Sequence, residues 1–141
     1  MEFGKTLSGR QIIEIFIARY NQPGAPVFDL YGDEVDWIEM PTGRRGGRDD
    51  LFAVLRGARE QIGEYRFKAI SIVADGDEGV LESDWAGRSK DGGELMEVRV
   101  LWFWGFRDGK IVKQHDYSFP MNDAARRAYA AVESERGVGC E

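Results

Sequence analysis

In the stretch VDWIEMP, residues 35–41, Val35, Trp37 and Glu39 fall on alternate positions. An extended backbone therefore puts a carboxylate on the same face as an indole and a branched aliphatic side chain. A carboxylate held among apolar groups is a candidate proton acceptor, unless a cation pairs with it first. Arg44 and Arg48 are close enough in sequence to pair with it at a rim, so both readings of Glu39 are open. Two further segments alternate in the same way. In 94–106, Val98, Val100, Trp102, Trp104 and Phe106 interleave with Glu97, Arg99, Leu101, Phe103 and Gly105; in 79–88, Leu81, Ser83 and Trp85 interleave with Glu82 and Asp84. Turning the apolar sets inward brings all four tryptophans, at 37, 85, 102 and 104, to one interior together with Ser83 and Glu39. Aromatic stripes commonly make a filled core. Four large rings with a serine and a carboxylate among them also suit a partly open pocket for a small apolar or aromatic molecule.

The elements that must hold these residues are legible from periodicity. Ser8 and Gln11 form a capping-box pattern ahead of Ile13, Phe16, Ile17 and Tyr20 at helical spacing, and NQPG stops that helix. APVFDLYG, 25–32, reads as a short second helix ended by Gly32. After the loop TGRRGG comes a helix with Leu51, Val54, Leu55, Ala58 and Ile62 on one face and Gly63 as its stop. The period then drops to two, with strands expected at 65–74, 79–88, 94–106 and 111–118, joined by DGDEG, SKDGG and the tight Asp108-Gly109 turn. A last amphipathic segment, 122–136, carries Ala125, Tyr129 and Val132 and opens with Asn122 or Asp123 as cap. Strands joined by hairpins predict an α+β domain, with helices on one face of a curved, mainly antiparallel sheet. In the last strand Ile111, Lys113, His115 and Tyr117 oppose Val112, Gln114, Asp116 and Ser118, and neither face is plainly apolar.

Composition narrows the function. A chain of 141 residues with a net charge of −6 and no continuous basic stripe is not expected to bind nucleic acid, and Arg44, Arg45 and Arg48 read as a solvated loop. Cys140 is the single cysteine, which precludes a disulfide within the chain and suits a reducing compartment. No apolar run approaches the ~20 residues of a membrane span and no secretory leader is visible, so cytoplasm is expected. One histidine, His115, is poor grounds for a metal site, and none is expected.

The order helix, helix, strand, helix, four strands resembles the SnoaL-like and ketosteroid isomerase-like proteins of the nuclear transport factor two-like superfamily. The motifs that carry the resemblance are ARY, LYGDEVDWIEMPTG leading into GGRDDL, VLESDWAGR, and WFWGFRDGKIVKQHDYSFP. The resemblance implies a cone-shaped, strongly curved sheet with the N-terminal helices packed on its concave face, in a domain covering 1–120 with a helical extension over 121–141. It places Tyr20 as the phenol that donates to a substrate oxyanion and Glu39 as the general base, with no cofactor. It puts Gln114, Asp116 and Ser118 on the pocket side and His115 outside, with Asp116 as an auxiliary acid. The implied substrate-binding set is Phe16, Trp37, Leu81, Ser83, Trp85, Trp102, Trp104, Gln114 and Ser118. Trp102 stands where the isomerases carry a second oxyanion donor, a departure that argues against steroid isomerisation. An epoxide-hydrolase type of site would need an inward arginine, and Arg99 alternates outward. The function expected is an isomerase or cyclase acting by proton abstraction on an enolisable apolar molecule, the alternative being a non-catalytic binding or scaffold module. The outward set, Leu101, Phe103, His115 and Tyr117, suggests a homodimer face.

Overall fold

A computed structural model of the chain describes residues 6–137; Cys140 lies outside them. Helix α1, Gly9–Tyr20, starts on the expected capping box, with Ser8 Oγ accepting from Gln11 N and Gln11 Oε1 accepting from Ser8 N. Its buried stripe, Ile12, Ile13 and Phe16, is fully covered by the sheet. The second helix expected at 25–32 is only a single 3-10 turn, Phe28–Leu30, and strand β1, Tyr31–Met40, begins immediately after it. The reason is tertiary: the backbone of Tyr31 finds a strand partner at Ile111, which local helix propensity cannot offer. The loop TGRRGG contains a two-residue strand β2, Arg45–Gly46, paired with Trp37 and Ile38.

Helix α2 spans Arg48–Gln61 and buries Leu51 and Phe52. Gly63 does not stop it, because Ile62 is already extended and strand β3, Ile62–Asp75, takes over at once. Strands β4 (Glu78–Ser89), β5 (Met96–Arg107) and β6 (Lys110–Pro120) complete a sheet ordered β2-β1-β6-β5-β4-β3. All neighbours are antiparallel except β1 and β6, which run parallel. Asp108 and Gly109 both take positive φ, 53° and 74°, in the two-residue turn between β5 and β6. The curved, unclosed sheet holds α1 across β3 and β4 and α2 near β1, so the expected α+β architecture stands.

Helix α3, Asp123–Gly137, docks on β5 and β6. Asn122 makes the joint: its Oδ1 accepts from Ala125 N at 3.0 Å and from Glu97 N at 3.2 Å, while its Nδ2 donates to Leu95 O at 2.9 Å. One side chain thus caps the helix and ties it to the start of β5. Asn122→Ala should lower the unfolding free energy by about 1–2 kcal/mol, the scale of a lost N-cap with a second hydrogen bond. Urea denaturation measures it, and an unchanged midpoint would show that the helix is held by its apolar face alone.

Candidate functional site

The parallel pairing of β1 with β6 sets Glu39 directly opposite Asp116. Adjacent strands lie about 4.8 Å apart, so two inward carboxyls at one level feel each other. Asp116 faces inward because β6 is bulged. The β5–β6 register shifts between Gly105 and Phe106, so that Ile111 faces the core at one end of β6 while Gln114, Asp116 and Ser118 face it at the other. His115 is outside, 3.0 Å from Asp36, as the resemblance implied. The bulge is also why β6 has no apolar face in strict alternation.

The inward polar side chains answer the hydrogen-bonding needs of the rings around them. Trp104 Nε1 donates to Gln114 Oε1 at 2.9 Å, and the Tyr31 hydroxyl donates to the same oxygen. Gln114 Nε2 then donates to Asp116 Oδ2 at 3.1 Å, and Trp37 Nε1 reaches that oxygen at 3.3 Å. Trp102 Nε1 donates to Ser83 Oγ at 2.9 Å, which in turn donates to Val100 O at 3.1 Å. Phe16, Leu81, Ser83, Trp104 and Gln114 are all within 1% of complete burial, so the centre of the cone is packed. Asp116 Oδ1, by contrast, accepts no hydrogen bond from the described residues.

Glu39 sits on the face with Trp37, but it is not alone there. Its Oε1 accepts from Arg44 Nη2 at 2.6 Å, Arg44 Nε at 2.7 Å and Thr42 Oγ1 at 2.5 Å. Arg48 is directed elsewhere, 3.4 Å from Asp33. The geometry is that of the rim ion pair, with Arg44 as the cation.

Burial pushes the Asp116 carboxyl up to about 7, and the charge of Glu39 adds to the shift; hydrogen bonds from Gln114 and Trp37 and the charge of Arg44 oppose it. Two phenols are within electrostatic range of Asp116, and one of them, Tyr129, of Glu39 as well. Tyr20, the last residue of α1, is raised above the ordinary phenol range by burial first and by Tyr65 and Tyr129 next, with Arg59 acting against them. Tyr129, from α3, is pushed up to about 12 by burial, against a hydrogen bond with Ser118. Both therefore stay protonated and able to donate at neutral pH. Tyr129, Thr42 and Tyr31 were not among the residues singled out from sequence for the site. Only Tyr129 left a signal, its helical spacing with Ala125 and Val132.

A cavity of about 330 Å³ opens beside Tyr20, between the end of α1, α2, the start of β3 and the end of β4. Of the site residues expected from sequence, Tyr20 and Trp85 line it. Glu39 is at the rim with Arg44, and the others lie in the packed interior, where Trp37, Gln114 and Asp116 form one hydrogen-bonded chain. Arg99 points outward and pairs with Asp84 at 2.5 Å and Glu82 at 2.8 Å. Among the described residues, no three His, Cys, Asp or Glu gather as a metal-binding group. No described helix is long and apolar enough to cross a membrane.

A cone of this kind, with helices packed inside a curved sheet and buried polar residues on β6, is the NTF2-like architecture. The chain belongs to the SnoaL-like domain family, whose profile matches residues 13–114. Solved structures agree. An NTF2-like protein from Burkholderia thailandensis is 25% identical with a TM-score of 0.67, over 89% of this chain and 98% of that one. A protein of ketosteroid isomerase-like fold from Catenulispora acidiphila, in complex with trimethylamine, is 17% identical with a TM-score of 0.65, over 79% and 86%. AclR of Streptomyces galilaeus, a proposed hydroxylase, is 12% identical with a TM-score of 0.72, over 86% and 95%. Curated protein sequences contain no match.

Two outcomes follow from the electrostatics. Glu39→Gln should bring the Asp116 carboxyl down from about 7, because it removes the like charge and leaves Arg44 acting on Asp116 alone. Carbon-13 NMR titration reads this directly; a rise would contradict it. Folding raises Asp116 from 3.8 to about 7, so the native state keeps a proton that the unfolded chain has lost between those values. Its contribution to stability is therefore fully present below about pH 4 and lost as pH rises to about 7. Asp116→Asn retains an acceptor for Trp37 and Gln114 but cannot ionise. Relative to the parent it should be more stable at about pH 8 than at about pH 4 in urea unfolding; an equal difference at both would count against the assignment.

Proposed function

We propose that the chain is a cofactor-free acid–base catalyst of the isomerase or cyclase type, acting on a small apolar or aromatic, enolisable molecule. The observation that carries this reading is Asp116: a buried carboxyl near neutrality, with one oxygen anchored by Trp37 and Gln114 and a second carboxylate on the neighbouring strand. A group whose proton affinity lies near the working pH is the most effective proton shuttle. Asp116 takes the proton from carbon, the C–H electron pair moves into the adjacent carbonyl as an enolate, and Tyr20 donates to the oxygen that gains charge. The protonated Asp116 then returns the proton at another position. In this reading Glu39 does not abstract the proton itself. Paired with Arg44, it adds its charge to the burial that raises the proton affinity of Asp116.

The test is solvent deuterium exchange at the α-carbon of aryl ketones, followed by proton NMR. Exchange should rise with pH through about 7 as Asp116 ionises, fall by about 10²-fold or more in Asp116→Asn, and fall about tenfold or more in Tyr20→Phe. Ketones that bind without exchanging would favour a non-catalytic binding module.

A second proposal concerns assembly. The outer face of the sheet exposes Phe103, Tyr117 and Phe119 at 39%, 36% and 47% around a depression of about 360 Å³ that Leu101 also lines. Phe103 and Tyr117 already pack edge to face, with centroids 5.6 Å apart. We propose that a second copy of the chain covers this face. Phe103→Lys, which puts a charge at its centre, should convert a dimer to a monomer in light scattering at micromolar concentration. A parent protein that is monomeric there would remove the proposal.

A further inference from the structure

The cavity beside Tyr20 has a charge pattern that the proton-transfer reading does not use. Two ionised side chains line it, Arg59 and Lys90, and both are cations. Among the described residues neither is paired with a carboxylate, in a chain whose net charge is −6. The Arg59 side chain and the Lys90 backbone are also held in place. Arg59, in the last turn of α2, donates from Nη2 to Ala25 O at 2.9 Å, which uses one of its five N–H donors. Lys90 N donates to Gln61 O at 2.8 Å, fixing the β4–β5 turn against the end of the same helix. The rest of the lining is apolar or aromatic, including Val27, Leu55, Tyr65 and Trp85, with Tyr20 among it.

We propose that the ligand of this cavity is an aromatic carboxylic acid, bound with its carboxylate between Arg59 and Lys90 and its ring system against Tyr65 and Trp85. This rests on the reading that the chain takes a small apolar molecule, and it adds the ionised group that such a molecule carries. A guanidinium presents a planar fork that suits a carboxylate, and a lysine adds a point charge at little directional cost. The volume of about 330 Å³ is at the small end of the roughly 300–1,000 Å³ typical of ligand pockets, which fits one or two fused rings. Tyr20 lines the same cavity and feels the charges of both Arg59 and Asp116. Neither Glu39 nor Asp116, whose charges would repel the ligand's anion, lines it.

Isothermal titration calorimetry with naphthoate and its neutral near-isostere naphthamide tests this at about pH 8, where the acid is fully ionised. Naphthoate should bind at least about tenfold more tightly than naphthamide. Arg59→Gln and Lys90→Gln should each erode that preference, lowering naphthoate affinity more than naphthamide affinity. Because Arg59 also holds Ala25 O, Arg59→Lys serves as a second variant: it keeps the charge without the fork and should retain part of the preference. If the two compounds bind equally, or the preference survives the Arg59→Gln/Lys90→Gln double substitution, the anion site is wrong and the apolar-ligand reading stands. If neither compound binds at millimolar concentration, both fall together.

Discussion

Burying tryptophans obliges a protein to bury acceptors for them, and the interior of this cone is arranged around that requirement. Each indole N–H that leaves water without a partner costs on the order of 1–3 kcal/mol, so an all-apolar interior around these rings would be poorer than a mixed one. Ser83 meets the need for Trp102, Gln114 for Trp104 and Asp116 for Trp37. Gln114 is the hinge of the arrangement, because its carbonyl accepts from Trp104 and Tyr31 and so aims its amide at Asp116. The same contacts that satisfy the core therefore orient the carboxyl that the chemistry would use.

That carboxyl is held under tension between opposing influences. Burial and the Glu39 charge favour its protonated form; two hydrogen bonds and Arg44 favour the ionised one. Glu39 is steadied by Arg44 and Thr42, so the two acids stand in different surroundings: one is paired with a cation at the rim, the other is buried and left close to neutrality. Separation of two like groups by environment is how a fold assigns different work to them. Helix α3 contributes to that environment, since Tyr129 puts a phenol within electrostatic range of both acids and Asn122 ties the helix to the start of β5. The segment beyond residue 120 thus takes part in the setting of the site.

Charge on the outer surface follows a different logic. Arg99 spans Glu82 and Asp84 across neighbouring strands, and His115 meets Asp36, so the polar residues of the convex face are matched to one another. Exposed pairs of this kind contribute little to stability and mainly keep a partly apolar sheet surface in register and in solution. The apolar rings of Phe103, Tyr117 and Phe119 stand out against them for that reason.

The strands β3, β4 and β5, helices α1 and α3, and the inward direction of Trp85, Trp102 and Trp104 were legible in the sequence. Their signals are local: side-chain alternation, capping residues and the Asp108-Gly109 turn depend on neighbours a few positions away. The same locality misread 25–32 as a helix and Gly63 as a helix stop, since the extension of β1 and β3 there is stabilised by partners far along the chain. The orientation of β6 was undecidable from alternation because its bulge changes phase inside the strand, and only the family resemblance pointed Asp116 inward. Glu39 was recognisable as an acid on an apolar face, yet whether Arg44 or Arg48 would reach it depended on how β2 folds back on β1. The meeting of Glu39 with Asp116 comes from pairing between residues some eighty positions apart, and the phenol from α3 comes near them because that helix docks on β5 and β6; no local pattern encodes either.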